Sequence, residues 1–225
     1  LALLSEVNSL TDRLLDQGRP IDVLINNAGA LFDKFGTTSE GLEQSVALLL
    51  FSPWRLTENL KPLLTIGKSP GRVVNVVSGG MYTQRLDVGS LVMLPGAYNG
   101  AIAYARAKRA LATLTEIWAQ NWFHENIVIN SMHPGWADTP GVQNALPRFR
   151  KITKHLLRSS EQGSDTIVWL SRAREAANFS GRFFLDREAR TTHLVERTRE
   201  TAADRERLIK WLNKTYTEVI ERTSK

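Results

Sequence analysis

The chain has 225 residues, a formal net charge of +6 and no cysteine. The missing thiols exclude disulfides, thiolate metal sites and cysteine nucleophiles. With 42% hydrophobic and 23% charged residues, the chain lies in the ordinary globular range and can bury a sizeable core.

The longest apolar run, Val46 to Phe51, is far short of the roughly 20 residues a membrane helix needs. The opening Leu1-Ala2-Leu3-Leu4-Ser5-Glu6 has neither the basic region nor the cleavage motif of a signal peptide. It also lacks an initiator methionine, so we expect the sequence to begin inside a longer protein. A cytoplasmic protein without a membrane-spanning segment is the expectation.

The positive charge has a location. Five basic residues (Arg148, Arg150, Lys151, Lys154, Arg158) and no acidic residue fall between Val142 and Ser160. From Asp186 to Lys225 there are ten basic and eight acidic residues, nearly balanced. Phe149 is the one aromatic in the basic stretch. Nucleic-acid binders usually interleave such charge with aromatics or a recognisable motif. The stretch therefore reads as a solvated face or an anion-facing flap, and no nucleic-acid partner is expected.

In chain order, Leu1 to Gln17 has helical apolar spacing, ended by Gly18 and Pro20. Ile21 to Ile25 reads as a buried strand. Ser39 to Leu64 reads as a long buried helix, bent or interrupted near Pro53. Arg72 to Val77 is β-branched, as a central strand is. Met81 to Gly100 is a Gly- and Pro-containing loop, and Ala101 to Phe123 a helix. Ile127 to Met132 is a strand, Glu161 to Ala173 a helix and Gly181 to Leu185 a strand. Val195 to Thr223 is a charged amphipathic helix, or two. Strands that are apolar throughout, alternating with helices, predict an α/β fold with a parallel sheet covered on both faces. With no linker or repeat in the chain, 1–225 reads as a single domain with a helical extension over 195–225.

In such sheets, ligands bind at the carboxyl ends of the strands. The first strand ends in Asn26-Asn27-Ala28-Gly29, either a plain turn or a place where backbone meets a flat ligand. The second ends in Val77-Ser78-Gly79-Gly80, where the serine either caps the turn or holds a substrate oxygen. Tyr104 and Lys108 sit four apart at the start of the next helix, hence on one face. A cation there favours the phenolate and lowers the pKa of the phenol. Alone, that spacing also fits any solvated helix face. The third strand ends in His133-Pro134-Gly135-Trp136-Ala137-Asp138-Thr139-Pro140, a rigid turn. His133 lacks an evident partner and reads as structural.

Taken together, Asn-Asn-Ala-Gly, Ser78, Tyr-x-x-x-Lys and Pro-Gly-x-x-x-Thr, in this order and context, resemble the short-chain dehydrogenase/reductases over residues 1 to about 190. The long interval between Ser78 and Tyr104 resembles the retinol-dehydrogenase-like branch. Ser131 to Val142, with Ser78-Gly79-Gly80-Met81 and Gly181-Arg182-Phe183-Phe184, looks like its dehydrogenase/reductase member-twelve group.

The resemblance implies a Rossmann-like doubly wound parallel sheet and an NAD- or NADP-dependent oxidoreductase that interconverts an alcohol and a carbonyl. Tyr104 is then the general acid or base. Lys108 tunes it and holds the nicotinamide ribose, and Ser78 bonds the substrate oxygen. Asn27, Ala28 and Gly29 line the adenosine side of the cofactor; Pro134, Gly135, Trp136 and Thr139 hold the nicotinamide end. No metal is implied. The substrate is expected to be a small, apolar alcohol or carbonyl compound. The 142–160 segment is expected to be a substrate flap, with Leu146, Phe149 and Leu156 as candidates for its apolar wall. A homodimer through the helices at 39–64 and 101–123 is a family-level expectation.

Two departures stand out. Leu49 aligns where many members carry an asparagine that supports a water relay to the lysine, and leucine has no hydrogen-bonding group. No Gly-x-x-x-Gly-x-Gly or Gly-x-Gly-x-x-Gly occurs in the chain, so the phosphate-binding turn is missing. The first β-α-β-α-β portion is therefore expected to be absent, leaving Ile21–Ile25 as an exposed sheet edge and cofactor affinity reduced. The alternative reading is a catalytically silent Rossmann-like binding or scaffold protein.

Overall fold

The computed structural model describes residues 1–135 and 158–223. Helix α1 (Leu4–Gln17) is followed by β1 (Val23–Asn26). Helix α2 (Gln44–Val46) continues through a π-helical turn (Ala47–Phe51) into α3 (Ser52–Thr65). Then come β2 (Gly71–Val76), α4 (Gly100–Asn121) and β3 (Ile127–Met132). Helix α5 (Ser160–Arg172), strands β4 (Phe183–Leu185) and β5 (Glu188–Arg190), and helix α6 (Ala202–Thr223) complete the order.

The strands form one sheet in the order β1-β2-β3-β4-β5. The first four are parallel and β5 is antiparallel to β4. The apolar strand runs are explained by burial on both sides. Val73 and Phe183 join a core shared with α1, α3, α4 and α6, while their neighbours Val74 and Phe184 face a second core containing Leu170 of α5. Successive strand residues alternate faces, so a run of apolar residues serves both cores. β1 lies at one edge of the sheet, as expected, and its Ile25 is 43% exposed.

The interruption expected near Pro53 is the π-helical turn at Ala47–Phe51. Proline lacks an N–H and its ring crowds the carbonyl four residues back, here that of Leu49. The Ser52 N–H bonds to the Ala47 carbonyl, widening the turn by one residue. Leu49 is fully buried within it.

Two features differ from the sequence expectation. Strand β5 is an addition, exposed along its length and joined to β4 through Asp186 and Arg187, both at positive φ (55° and 60°). Such a primed turn usually uses Asn or Gly, so the sequence carries no signal for it. Residues 195–201 hold only a short 3-10 turn (Glu196–Thr198), and the helix begins at Ala202.

Helix α6 crosses the outer side of the helical layer. Leu208, Leu212 and Val219 are fully buried. Trp211 packs on Phe51 at 5.3 Å between ring centroids, and Tyr216 on Trp54 at 5.8 Å. Tyr216 also accepts a hydrogen bond from Asn8 of α1.

Candidate active site

Asn26, at the end of β1, anchors the site from below. Its Nδ2 donates to Thr57 Oγ1 (3.0 Å) and Asn75 Oδ1 (2.8 Å), and Asn75 Nδ2 donates to Thr115 Oγ1 (2.9 Å). This buried chain joins β1, β2, α3 and α4 and fixes the strand ends against the helices. Sequence reasoning noted Asn26 only as part of a turn. Its partners lie 31 and 49 residues away, so local spacing carried no sign of them.

Helix α4 supplies Tyr104 and Lys108. It begins at Gly100 because the Asn99 side chain accepts the Ile102 N–H (3.1 Å), an N-cap. Lys108 is buried, its Nζ donating to the Val76 carbonyl at 2.6 Å and standing 5.8 Å from the centroid of the Tyr104 ring. Two residues beyond Val76, Ser78 turns the chain into a 3-10 turn (Gly79–Thr83), its hydroxyl accepting the Gly80 N–H. The Ser78 hydroxyl lies close enough to the Tyr104 phenol to lower its pKa. The structure thus brings Ser78, Tyr104 and Lys108 together at the carboxyl end of β2.

The electrostatics correct one expectation. Burial pushes the Tyr104 phenol above its usual pKa, and the nearby Ser78 hydroxyl pulls the other way. The lowering expected from Lys108 is not the governing influence. Burial also brings Lys108 itself down to about 8, and its ammonium is engaged by the Val76 carbonyl. A cation this poorly solvated is expensive, so the pair settles with the phenol neutral.

The β1 end contributes Asn27, Ala28 and Gly29, all exposed. A Cβ on Gly29 would lie 3.1 Å from Leu49 Cδ2 and 3.8 Å from Lys108 Nζ. Leu49 therefore stands beside the lysine end of the site, as aligned, and adds only hydrocarbon there.

The β3 end contributes Pro134 and Gly135. Gly135 has φ +76°, a conformation that favours glycine, and a Cβ there would push against the Arg158 side chain, 2.6 Å from its Nε. His133 Nδ1 accepts the Gly135 N–H (3.2 Å), which puts the ring proton on Nε2. The ring tip fills the space a Gly79 side chain would take, 2.8 Å from that Cβ position. Burial first, then the Arg158 cation, lowers the His133 pKa to about 4. His133 is a neutral spacer between two turns, in line with its structural reading. Trp136, Thr139 and the 142–157 part of the basic flap lie outside the described residues. Arg158 is described, and its guanidinium is paired with Asp186 (Nη2–Oδ2, 2.7 Å).

The turns at three parallel strand ends lie at one end of the sheet, and Ser78, Tyr104 and Lys108 converge there. The family model described as "Enoyl-(Acyl carrier protein) reductase" matches residues 4–168. This chain belongs to the short-chain dehydrogenase/reductase family. It is 43% identical over 198 residues to human Dehydrogenase/reductase SDR family member 12, covering 87% of this chain and 62% of that protein. Human Retinol dehydrogenase 13 is 26% identical over 192 residues, covering 82% of this chain and 58% of the relative. The chain thus spans under two thirds of these curated relatives. Among solved structures, the 3-alpha-hydroxysteroid dehydrogenase from Pseudomonas sp. B-0831, complexed with NADH, superposes with a TM-score of 0.65 at 23% identity. That match covers 82% of this chain and 78% of the other.

Proposed function

We propose that this chain carries the catalytic and substrate-side part of an NAD(P)-dependent oxidoreductase that interconverts an alcohol and a carbonyl. The observation that carries the reading is the convergence of Ser78, Tyr104 and Lys108 at the carboxyl end of β2, with Lys108 fastened to the Val76 carbonyl and standing 5.8 Å from the Tyr104 ring centroid.

In the direction of reduction, Tyr104 gives its proton to the carbonyl oxygen; in oxidation it takes the proton back. Its raised pKa keeps the phenol protonated at neutral pH, which suits donation. Ser78 donates to the same oxygen and stabilises the charge that develops on it. Lys108, fastened to the end of β2, is the cation available to the nicotinamide ribose.

The donor set fits the nicotinamide half of a dinucleotide. Lys108 lies beside Gly29, where a glycine leaves the β1 turn open. Asn27, Ala28 and Gly29 would line the adenosine side, and Pro134, Gly135, Trp136 and Thr139 the nicotinamide end. When bound, NAD or NADP supplies or accepts the hydride. The chain has no glycine-rich turn to seat the pyrophosphate, so we expect weak binding by the 225-residue polypeptide. A retinol dehydrogenase among the relatives supports an apolar substrate. No helix among the described residues is long and apolar enough to cross a membrane. A homodimer built on α3 and α4 would have to displace α6, whose Trp211 and Tyr216 cover Phe51 and Trp54.

Leu49 favours one second reading, a catalytically silent binding or scaffold protein, because it places hydrocarbon beside Lys108. NAD(P)H oxidation at millimolar cofactor, with a panel of aldehydes and ketones, separates the two. The oxidoreductase reading expects turnover that Ser78→Ala slows by roughly 10- to 1,000-fold. No turnover with any carbonyl under these conditions favours the silent reading.

A further inference from the structure

Arg109 follows Lys108 on α4 and is buried, only 1% exposed. The expected chemistry gives it no role. Its guanidinium nonetheless spends its donors on backbone carbonyls from two other segments. Nε donates to Met81 (3.2 Å) and Gln84 (3.1 Å), and Nη2 to Met81 (3.0 Å). Nη1 donates to Thr192 (2.8 Å). Met81 lies within the 3-10 turn that Ser78 caps, and the Gln84 N–H closes that turn on the Met81 carbonyl. The same turn is tied a second time, by the Tyr82 hydroxyl donating to the Thr191 carbonyl (2.6 Å). Residues 191–193 thus form a strap across the serine turn, and Arg109 holds strap, turn and catalytic helix together.

The charge is paid for locally. Glu116 and Glu200 oppose the burial of Arg109, and Arg205 bridges these two carboxylates, donating to Glu200 Oε1 at 2.9 Å. Glu116 Oε1 in turn accepts the Thr192 hydroxyl (2.9 Å). Two cations and two carboxylates balance one another beneath the strap. Buried ion clusters are weak stabilisers compared with well-packed apolar groups; what this one supplies is a planar fork with five donors in fixed directions.

We propose that Arg109 is a positioning residue: it sets the distance between Ser78 and Tyr104 by pinning the serine turn to the helix that bears the tyrosine, with the 191–193 strap as the third support. The inference rests on the proposed roles of Ser78 and Tyr104. It predicts that loss of the guanidinium lets the turn drift and carries the Ser78 hydroxyl away from the Tyr104 phenol, although Arg109 touches neither group.

The test is the NMR signal of Tyr104 in the 225-residue chain labelled with 13Cζ-tyrosine, assigned through Tyr104→Phe. Ser78→Ala sets the shift that follows loss of the neighbouring hydroxyl. Arg109→Gln and Arg109→Lys are expected to reproduce most of that shift well below their unfolding temperatures. Tyr98, bonded to Ser45, should stay unmoved. Arg109→Lys keeps a cation and serves if Arg109→Gln does not fold. In turnover assays, kcat should fall roughly 10- to 100-fold with little change in the KM for the carbonyl. A Tyr104 signal unchanged in a folded Arg109 variant overturns the proposal, whatever happens to thermal stability. A shifted signal in a chain that reduces no carbonyl supports the positioning role and counts against the oxidoreductase reading alone.

Discussion

Lys108 is an ammonium held almost wholly out of water. Burial takes its pKa from 10.5 to about 8, so between these values the unfolded chain binds the proton more tightly than the folded one. Stability then rises with pH across that window. Urea unfolding of wild type and Lys108→Met should show the wild type gaining about 2 kcal/mol on the variant between pH 8 and pH 10. A difference that stays flat with pH contradicts the buried ammonium. The Tyr104–Lys108 pairing was legible in the sequence because i and i+4 share a helix face. Arg109 was not, because it answers to carbonyls 25, 28 and 83 residues away. The direction of the Tyr104 shift was also hidden: spacing reveals a neighbouring cation but says nothing of how far both groups are desolvated.

At the scale of elements, strands β1 to β4 and helices α1, α4 and α5 follow from apolar runs and helical periodicity. Their ends shift by a few residues, as capping and fraying make usual. Strand β5 escaped because Glu188, Ala189 and Arg190 are exposed and nothing in their composition favours a strand. The packing of α6 was equally hidden. Its charged, amphipathic pattern identifies a surface helix but not the helices it covers. Leu212 lies in the core that α6 shares with α3 and α4. Leu212→Ala should therefore cost roughly 2–5 kcal/mol in urea unfolding. A cost below about 1 kcal/mol, typical of an exposed site, would show that α6 is not docked. The same substitution should loosen the strap, because Arg205 on α6 bridges Glu116 and Glu200.

For the molecule as a whole, the parallel sheet brings the turns after β1, β2 and β3 to one end, the end where the proposed site lies. The proposed cofactor residues occur in a chain whose sequence holds neither Gly-x-x-x-Gly-x-Gly nor Gly-x-Gly-x-x-Gly. On the proposed reading its dissociation constant for NADPH should be weaker than roughly 100 µM, because the sequence offers no glycine-rich motif to seat the pyrophosphate. Fluorescence titration gives that constant directly, and low-micromolar affinity would reveal a phosphate site elsewhere in the chain. The most direct test of the central claim follows a deuterium label. Nicotinamide cofactor deuterated at its transferable position is supplied at millimolar concentration with an apolar aldehyde, and the product is read by mass spectrometry. The account predicts deuterium on the carbinol carbon with the wild-type chain, and a rate of labelling roughly 100-fold lower or less with Tyr104→Phe. Equal labelling by the two proteins would contradict it.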